Sequence, residues 1–329
     1  MTTLALAFLA LAQDPPELPP NRADEPIARE FSLERSREFL DSASRWWQKG
    51  RKCLTCHTNA AYLSAGAETG VRSEAFVEVR AFTEDLVRDR WAAKGPRWDA
   101  EVVVAAYALA TSDGEKLHPL TRQALDRMWT VQRPDGGWSW LKCNWPPMES
   151  DDHYGATLAI LAAGRAPEGY AATPAAQEGL RKARAWLAKN PPDTLHQRAM
   201  LLWASRYVEG VATEEERKRT RDDLLALQLP DGGWSAPSLG PWKRSDGKEQ
   251  ETSTSDGYGT GFVVYVARQA GVPATDERLK KGVAWLKAQQ RESGRWYTRS
   301  PNKDGKHFLS HAGTAFALLA LHACGETPR

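Results

Sequence analysis

The heptapeptide QRPDGGW at residues 132–138 recurs as QLPDGGW at 228–234, and again, altered, in QQRESGRW, whose second Gln is Gln290 and whose Trp is Trp296. In all three, Gln and Trp stand six positions apart with a glycine-bearing turn between them. Upstream of each lies an amphipathic stretch with apolar residues at three- and four-residue spacing, such as LKKGVAWLKAQQ, which predicts a helix with one buried face. Downstream, after a loop, comes a second stretch that is apolar on all sides: YGATLAILAAG, YGTGFVVYVARQAG and HAGTAFALLALHACG. A helix of that kind belongs in the interior. One unit is therefore an outer helix, a Gly turn and an inner helix.

Three further inner helices can be read without the Gln–Trp frame: CHTNAAYLSAG (56–66), WDAEVVVAAYALATSDG (98–114) and LHQRAMLLWASRYVEG (195–210). The six begin near Cys56, Trp98, His153, His196, Tyr258 and His311. Outer helices are expected at about 30–48, 72–92, 119–132, 174–189, 213–228 and 276–290. The expected fold is all-α, an (α/α)6 toroid of six outer/inner pairs in one domain over residues 30–329, lined by the apolar helices. Each Gln side chain is expected to cap a helix end, and each indole to pack on the neighbouring repeat.

These Q-x5-W frames with DGGW resemble the repeats of the squalene–hopene cyclase and protein prenyltransferase β-subunit superfamily, over about residues 30–325. The resemblance implies the toroid. It implies less about the reaction, because repeats that brace a fold host many chemistries.

If all inner helices run the same way, their N-termini share one rim. That rim collects His57, His153, His196 and His311 with Asp99, Asp151, Asp152, Asp256 and Tyr258. Ser255, Asp256 and Ser310 read as ordinary helix caps. By similarity to the cyclases, ESDD (149–152) stands where those enzymes carry D-x-D-D, which would make Asp151 the proton-donating acid with Asp152 beside it. Of the three zinc-ligand positions in the prenyltransferases, only His311 is matched; Gly257 and Ser255 occupy the others. Rim carboxylates with Trp98 and Tyr154 would also suit a toroid that binds or cleaves carbohydrate.

One motif departs from the Gln–Trp frame. Cys53-Leu54-Thr55-Cys56-His57 has the C-x-x-C-H spacing that attaches a c-type haem through two thioethers, with His57 as the proximal iron ligand. His153 or His196, or Met148, could supply a distal ligand. The motif falls in the turn of the first repeat, where Gln48 and Leu54 take the places of Gln and Trp. One haem c at the cavity rim, acting in electron transfer or haem redox chemistry with a redox partner protein, is the expectation from this motif. A terpenoid-type isomerase holding a small hydrophobic ligand is the alternative, and a carbohydrate-active toroid another.

The chain carries Lys+Arg 44 against Asp+Glu 42. That balance, without a basic run, speaks against nucleic acid. Trp 14 outnumbers both Tyr 8 and Phe 8, as indole-bearing repeats require. Four cysteines (53, 56, 143, 324) are too few for a disulfide scaffold. An apolar run from Leu4 to Ala12 ending Ala-Leu-Ala predicts a signal peptide over 1–12 and hence a periplasmic or otherwise exported product. Residues 13–29, rich in Pro, read as an extended tether. No later apolar run is long enough to span a bilayer.

Overall fold

The computed structural model describes residues 18–306 and 308–327; the expected leader and the first residues of the expected tether lie outside this range. The chain alternates outer and inner helices. α1 (Leu33–Arg51) leads through a π-helical turn (Cys56–Ala60) into α2 (Ala61–Glu68). α3 (Glu74–Asp85) continues through a second π-helical turn into α4 (Trp91–Lys94), and α5 (Asp99–Ser112) is its inner partner. The remaining pairs are α6 (Pro119–Thr130) with α7 (Asp152–Arg165), α8 (Pro174–Lys189) with α9 (Leu195–Ala204), α10 (Glu214–Ala226) with α11 (Gly257–Gln269), and α12 (Glu277–Gln289) with α13 (Phe308–Ala323). Six outer/inner pairs are formed, each close to its expected place.

The inner helices form a closed ring: α2 packs on α5, α5 on α7, α7 on α9, α9 on α11, α11 on α13, and α13 back on α2. Their sequences make this possible. In α5 every residue after Asp99 is buried, and in α7 everything from His153 to Ala163. The outer helices bury one stripe each; α8 buries Ala176, Gly179, Leu180, Ala183, Trp186 and Leu187, at the spacing of one helical face.

The Gln–Trp frames work as clasps between neighbouring units. Gln132 Nε2 donates to Gly136 O within its own turn (2.9 Å) and to Gly179 O of the next outer helix (3.0 Å). Gln228 does the same with Gly232 O (2.9 Å) and Arg278 O (2.7 Å). Gln290 reaches Ser32 O (2.7 Å) and Ser36 Oγ (2.6 Å) at the start of α1, so the sixth unit is fastened to the first. The indoles bond backward and pack forward, Trp234 against Gly282 of α12 and Trp296 against Phe31 just ahead of α1. Trp138, Trp234 and Trp296, all fully buried, donate to Met128 O, Leu224 O and Leu286 O in the last turn of their own outer helix. Each clasp thus satisfies carbonyls that a helix end leaves open. Gln48 makes no such clasp: its Oε1 is buried without a partner, and Leu54 is buried in place of an indole.

Residues 18–29, the described part of the expected tether, are docked on the sixth unit. Arg295, 1% exposed, needs acceptors in the interior, and the Pro-rich segment has carbonyls to spare. The Pro19 and Pro20 carbonyls and the Glu25 carboxylate all take bonds from its guanidinium. Asn21 bridges Lys306 O (2.9 Å) and Ser310 Oγ (2.8 Å). Among the described residues, no helix is long and apolar enough to cross a membrane.

Candidate functional site

The parallel inner helices bring their N-termini to one rim, and the rim residues separate there into two groups. Some are committed to holding the helices. Asp151 caps α7, accepting from Tyr154 N (3.2 Å), and also accepts from Ser150 Oγ (3.1 Å). Asp152 is bound by Arg133 (2.7 Å), Lys142 (3.4 Å) and Trp140 N (3.3 Å). Asp256 caps α11 and also accepts from Ala236 N and Thr298 Oγ1; burial pushes its carboxyl up to about 6 against the pull of these donors. Asp99 opens α5 half-buried, behind the exposed Trp98. The structure gives the two aspartates of the cyclase reading bracing work.

His153 points away from the mouth. Its ring lies 4.9 Å from that of Trp186 on the outer helix α8, and burial holds its pKa below the usual histidine range. It is not brought to His57. His196 lies on the axis, stacked between Tyr154 and Phe262, with Nε2 bonded to the Tyr258 hydroxyl (2.7 Å). Burial depresses its pKa to about 3, so the ring is neutral at ordinary pH. Below this pair, Phe262, Phe316, Trp203 and Tyr265 interlock with ring separations of 5.3–6.1 Å. The far end is closed by Arg165 and Tyr265 on the Glu68 carboxylate, both at 2.7 Å. The axis is packed with side chains, not hollow.

The second group gathers at a cleft beside the axis, lined by His57, Trp145, Pro146, Met148, Glu149, Ser300, Phe308 and Leu309. It has room for about one water, ≈ 20 Å³. His57 is buried between Trp47 and Phe308, at 4.7 and 4.8 Å between rings. Its Nδ1 is bonded to Thr58 Oγ1 (2.7 Å), which is bonded in turn to His311 Nδ1 (3.0 Å). Its Nε2 faces Glu149 Oε1 at 3.7 Å. Burial raises the Glu149 carboxyl above its ordinary pKa, while the Cys143 thiol, bonded to it, pulls the other way. At the lip, Lys303 and Lys306 lie 5.9 and 5.7 Å from the Trp145 ring. Glu149 is the first residue of ESDD, and its partner lies outside that motif: His57 of C-x-x-C-H, brought from another unit.

The residues of C-x-x-C-H meet the needs of a haem in one respect and fail in another. Nδ1 of His57 is held by a neighbour and Nε2 faces a cleft that Met148 also lines, as an axial ligand requires. A cleft for one water, however, does not admit a porphyrin. The thiols also look to different surroundings: Cys53 to Trp47, Arg97 and Glu101, and Cys56 to Glu149, Cys143, Tyr154 and Tyr258. Both are free, and burial raises both pKa values. Among the described residues, no three His, Cys, Asp or Glu side chains converge as metal ligands do.

No protein-family model matches this sequence, and no curated protein does. Among solved structures, the chain is similar to ent-copalyl diphosphate synthase from Streptomyces platensis, with a TM-score of 0.56 and 20% identity over 81% of this chain and 50% of that one. It is similar to a polysaccharide lyase (TM-score 0.54, 14% identity, 88% of this chain and 96% of that one). A third likeness is to UGL with dGlcA-Glc-Rha-Glc (TM-score 0.51, 16% identity, 82% and 86%). The chain spans half the length of the synthase but nearly all of the lyase. What these likenesses establish is the fold: the chain is an all-helical α/α toroid, an architecture shared with that synthase and that polysaccharide lyase.

Proposed function

We propose that this toroid cleaves saccharides, with Glu149 and His57 as its acid–base pair. The observation that carries the reading is the pair itself, 3.7 Å apart across a one-water cleft at the rim. A carboxyl raised by burial keeps its proton closer to neutral pH and can hand it to a glycosidic oxygen. His57 Nε2 can take a proton from the same water or from the substrate, and the Thr58–His311 chain fixes its ring while it does so. Trp145 offers an apolar plane at the lip for a sugar ring. The filled axis supports this reading over a cyclase, which needs a hollow in which to fold a polyprenyl chain. The polysaccharide lyase among the structural neighbours supports it too.

Glu149→Gln is expected to lower kcat by about 10²–10⁴-fold with little change in KM. The assay is a panel of neutral and acidic polysaccharides, followed by new reducing ends and by the ultraviolet absorbance of an unsaturated product. Turnover that survives the substitution, or a wild type that cleaves nothing in the panel, ends this reading.

A second reading is favoured by C-x-x-C-H itself. In it the exported, periplasmic protein carries one haem c on Cys53 and Cys56 with His57 as proximal ligand, and passes electrons to a redox partner protein. The Nε2 atom of His57, which faces a cleft that Met148 also lines, supports it; the cleft would have to widen. Protein made with a haem-attachment system should then show a Soret band that survives denaturation and the mass of one added haem. Absence of both in exported protein excludes this reading.

A further inference from the structure

Three rim loops, 139–150, 240–250 and 297–306, meet above the mouth. Trp140 from the first lies on Tyr154 (5.7 Å between rings), and Trp242 from the second lies edge-on to His196 (6.0 Å). The third carries Ser300 against the His57 cleft. Below them are buried polar groups, the Tyr154 and Tyr258 phenols and the His196 ring, beside the Cys56 thiol. A cover that never opened would gain stability from apolar side chains in those places.

The loops are joined mainly by side chains. Among the described residues a single backbone–backbone bond, Ser245 N to Asn302 O (2.8 Å), links one to another. Arg244, its side chain fully buried, donates to Ser300 O (2.6 Å), Asp246 Oδ1 (2.9 Å) and Asp304 Oδ1 (2.8 Å). Asp304 also receives Lys248 (2.6 Å) and Arg299 (2.7 Å). Asn302 donates to Asn144 O and accepts from Ser245 Oγ, and so holds all three loops at once. The Asp304 side chain is 43% exposed and that of Lys248 60%, so the outer part of this knot is in water, where ion pairs are weak. Gly247 and Gly305, both at positive φ with open space around them, turn the two loops that carry the knot.

We propose that these loops are a lid, latched at Arg244, Asn302 and Asp304, that opens to admit ligand to the mouth. The proposal rests on the reading of Glu149 and His57 as the working site and states how that site is gated. The cover is held by the buried Arg244, by neutral bonds of Asn302 and Gln250, and by ion pairs of Asp304 that reach water, so loosening the charged latch shifts the balance towards the open form.

Alkylation by iodoacetamide, followed cysteine by cysteine by peptide mass spectrometry on the reduced full chain, tests this without knowledge of the ligand. Cys56 lies beneath the first loop and is 3% exposed, Cys143 on that loop is exposed, and Cys324 lies at the far end of the toroid. Asp304→Asn and Arg244→Met are expected to speed Cys56 alkylation at least about tenfold, the effect of about 1.4 kcal/mol on a closed–open equilibrium, and to leave Cys143 and Cys324 at wild-type rates. Cys56 rates equal to wild type in both variants overturn the lid. So does parallel acceleration at Cys324, which would report loosening of the whole fold. Alkylation is read on Asp304→Asn and Arg244→Met and turnover on Glu149→Gln, whose carboxylate lies beside Cys56 and Cys143, so the gate and the chemistry fail separately.

Discussion

Gly294→Ala is expected to destabilise the protein by roughly 3–5 kcal/mol. Gly294 lies in the turn that clasps the sixth unit to the first. Its φ is +90°, which a residue with a side chain rarely adopts, and an added Cβ would press on the backbone of Arg35 and Ser36 well inside 3.0 Å. The obstacle is main chain of α1, so no rotamer change relieves it, and Gln290 would be levered off Ser32 and Ser36. Gly271→Ala is the matched comparison: its φ is +86° but nothing lies within 4 Å. That variant should lose only about 1 kcal/mol, the conformational part alone. Urea midpoints of the two variants against wild type decide the matter. Equal losses would mean that ring closure does not depend on this backbone approach.

Acid should act on the axis through His196. Its pKa falls from 6.5 in the unfolded chain to about 3 in the folded one. Above pH 6.5 the group is neutral in both states and contributes nothing to the slope. As pH falls towards 3 the unfolded chain takes up a proton that the folded chain refuses, and stability drops by about 1.4 kcal/mol per pH unit. Asp256 acts in the opposite sense. Its pKa is raised from 3.8 to about 6, so between those values the folded chain holds a proton that the unfolded chain has lost, and acidification stabilises. From about pH 6 to about pH 4 the two slopes cancel in the wild type. His196→Gln keeps a polar partner for Tyr258 and removes one slope. Its stability relative to wild type should therefore rise by roughly 3 kcal/mol across that interval. Urea midpoints measured at both ends would show it, and parallel profiles for the two proteins would refute it.

The elements most legible in the sequence are those whose pattern is local. The stripe of α8 and the uninterrupted apolar runs of α5, α7 and α13 announce outer and inner helices before any contact is known. The Gln–Trp spacing was also legible as a brace: Gln reaches the neighbour, and Trp bonds to its own helix while its ring packs on the next unit, as Trp234 does on Gly282 and Trp296 on Phe31. The facing of the rim residues was not legible. An inner helix is buried on every side, so its sequence carries no stripe to say which residues look to the axis. His153 and Tyr154 are consecutive, about 100° apart around α7. One lies on Trp186 of an outer helix and the other beside His196 on the axis.

The candidate site followed the same division. C-x-x-C-H drew notice to the turn that carries His57, because its spacing is local. The pairing of His57 with Glu149 joins the first unit to a loop of the third, and the Thr58–His311 link joins it to the sixth. The docking of residues 18–29 could not be read either, since the buried guanidinium that calls for their carbonyls belongs to Arg295 at the other end of the chain. Periodicity and spacing report on neighbours within one helix or turn, and they were enough to specify twelve helices, their order and the clasps that close the ring. Burial, the facing of polar groups and the knot of three loops above the mouth depend on distances between units. Those came into being only when the sixth unit met the first.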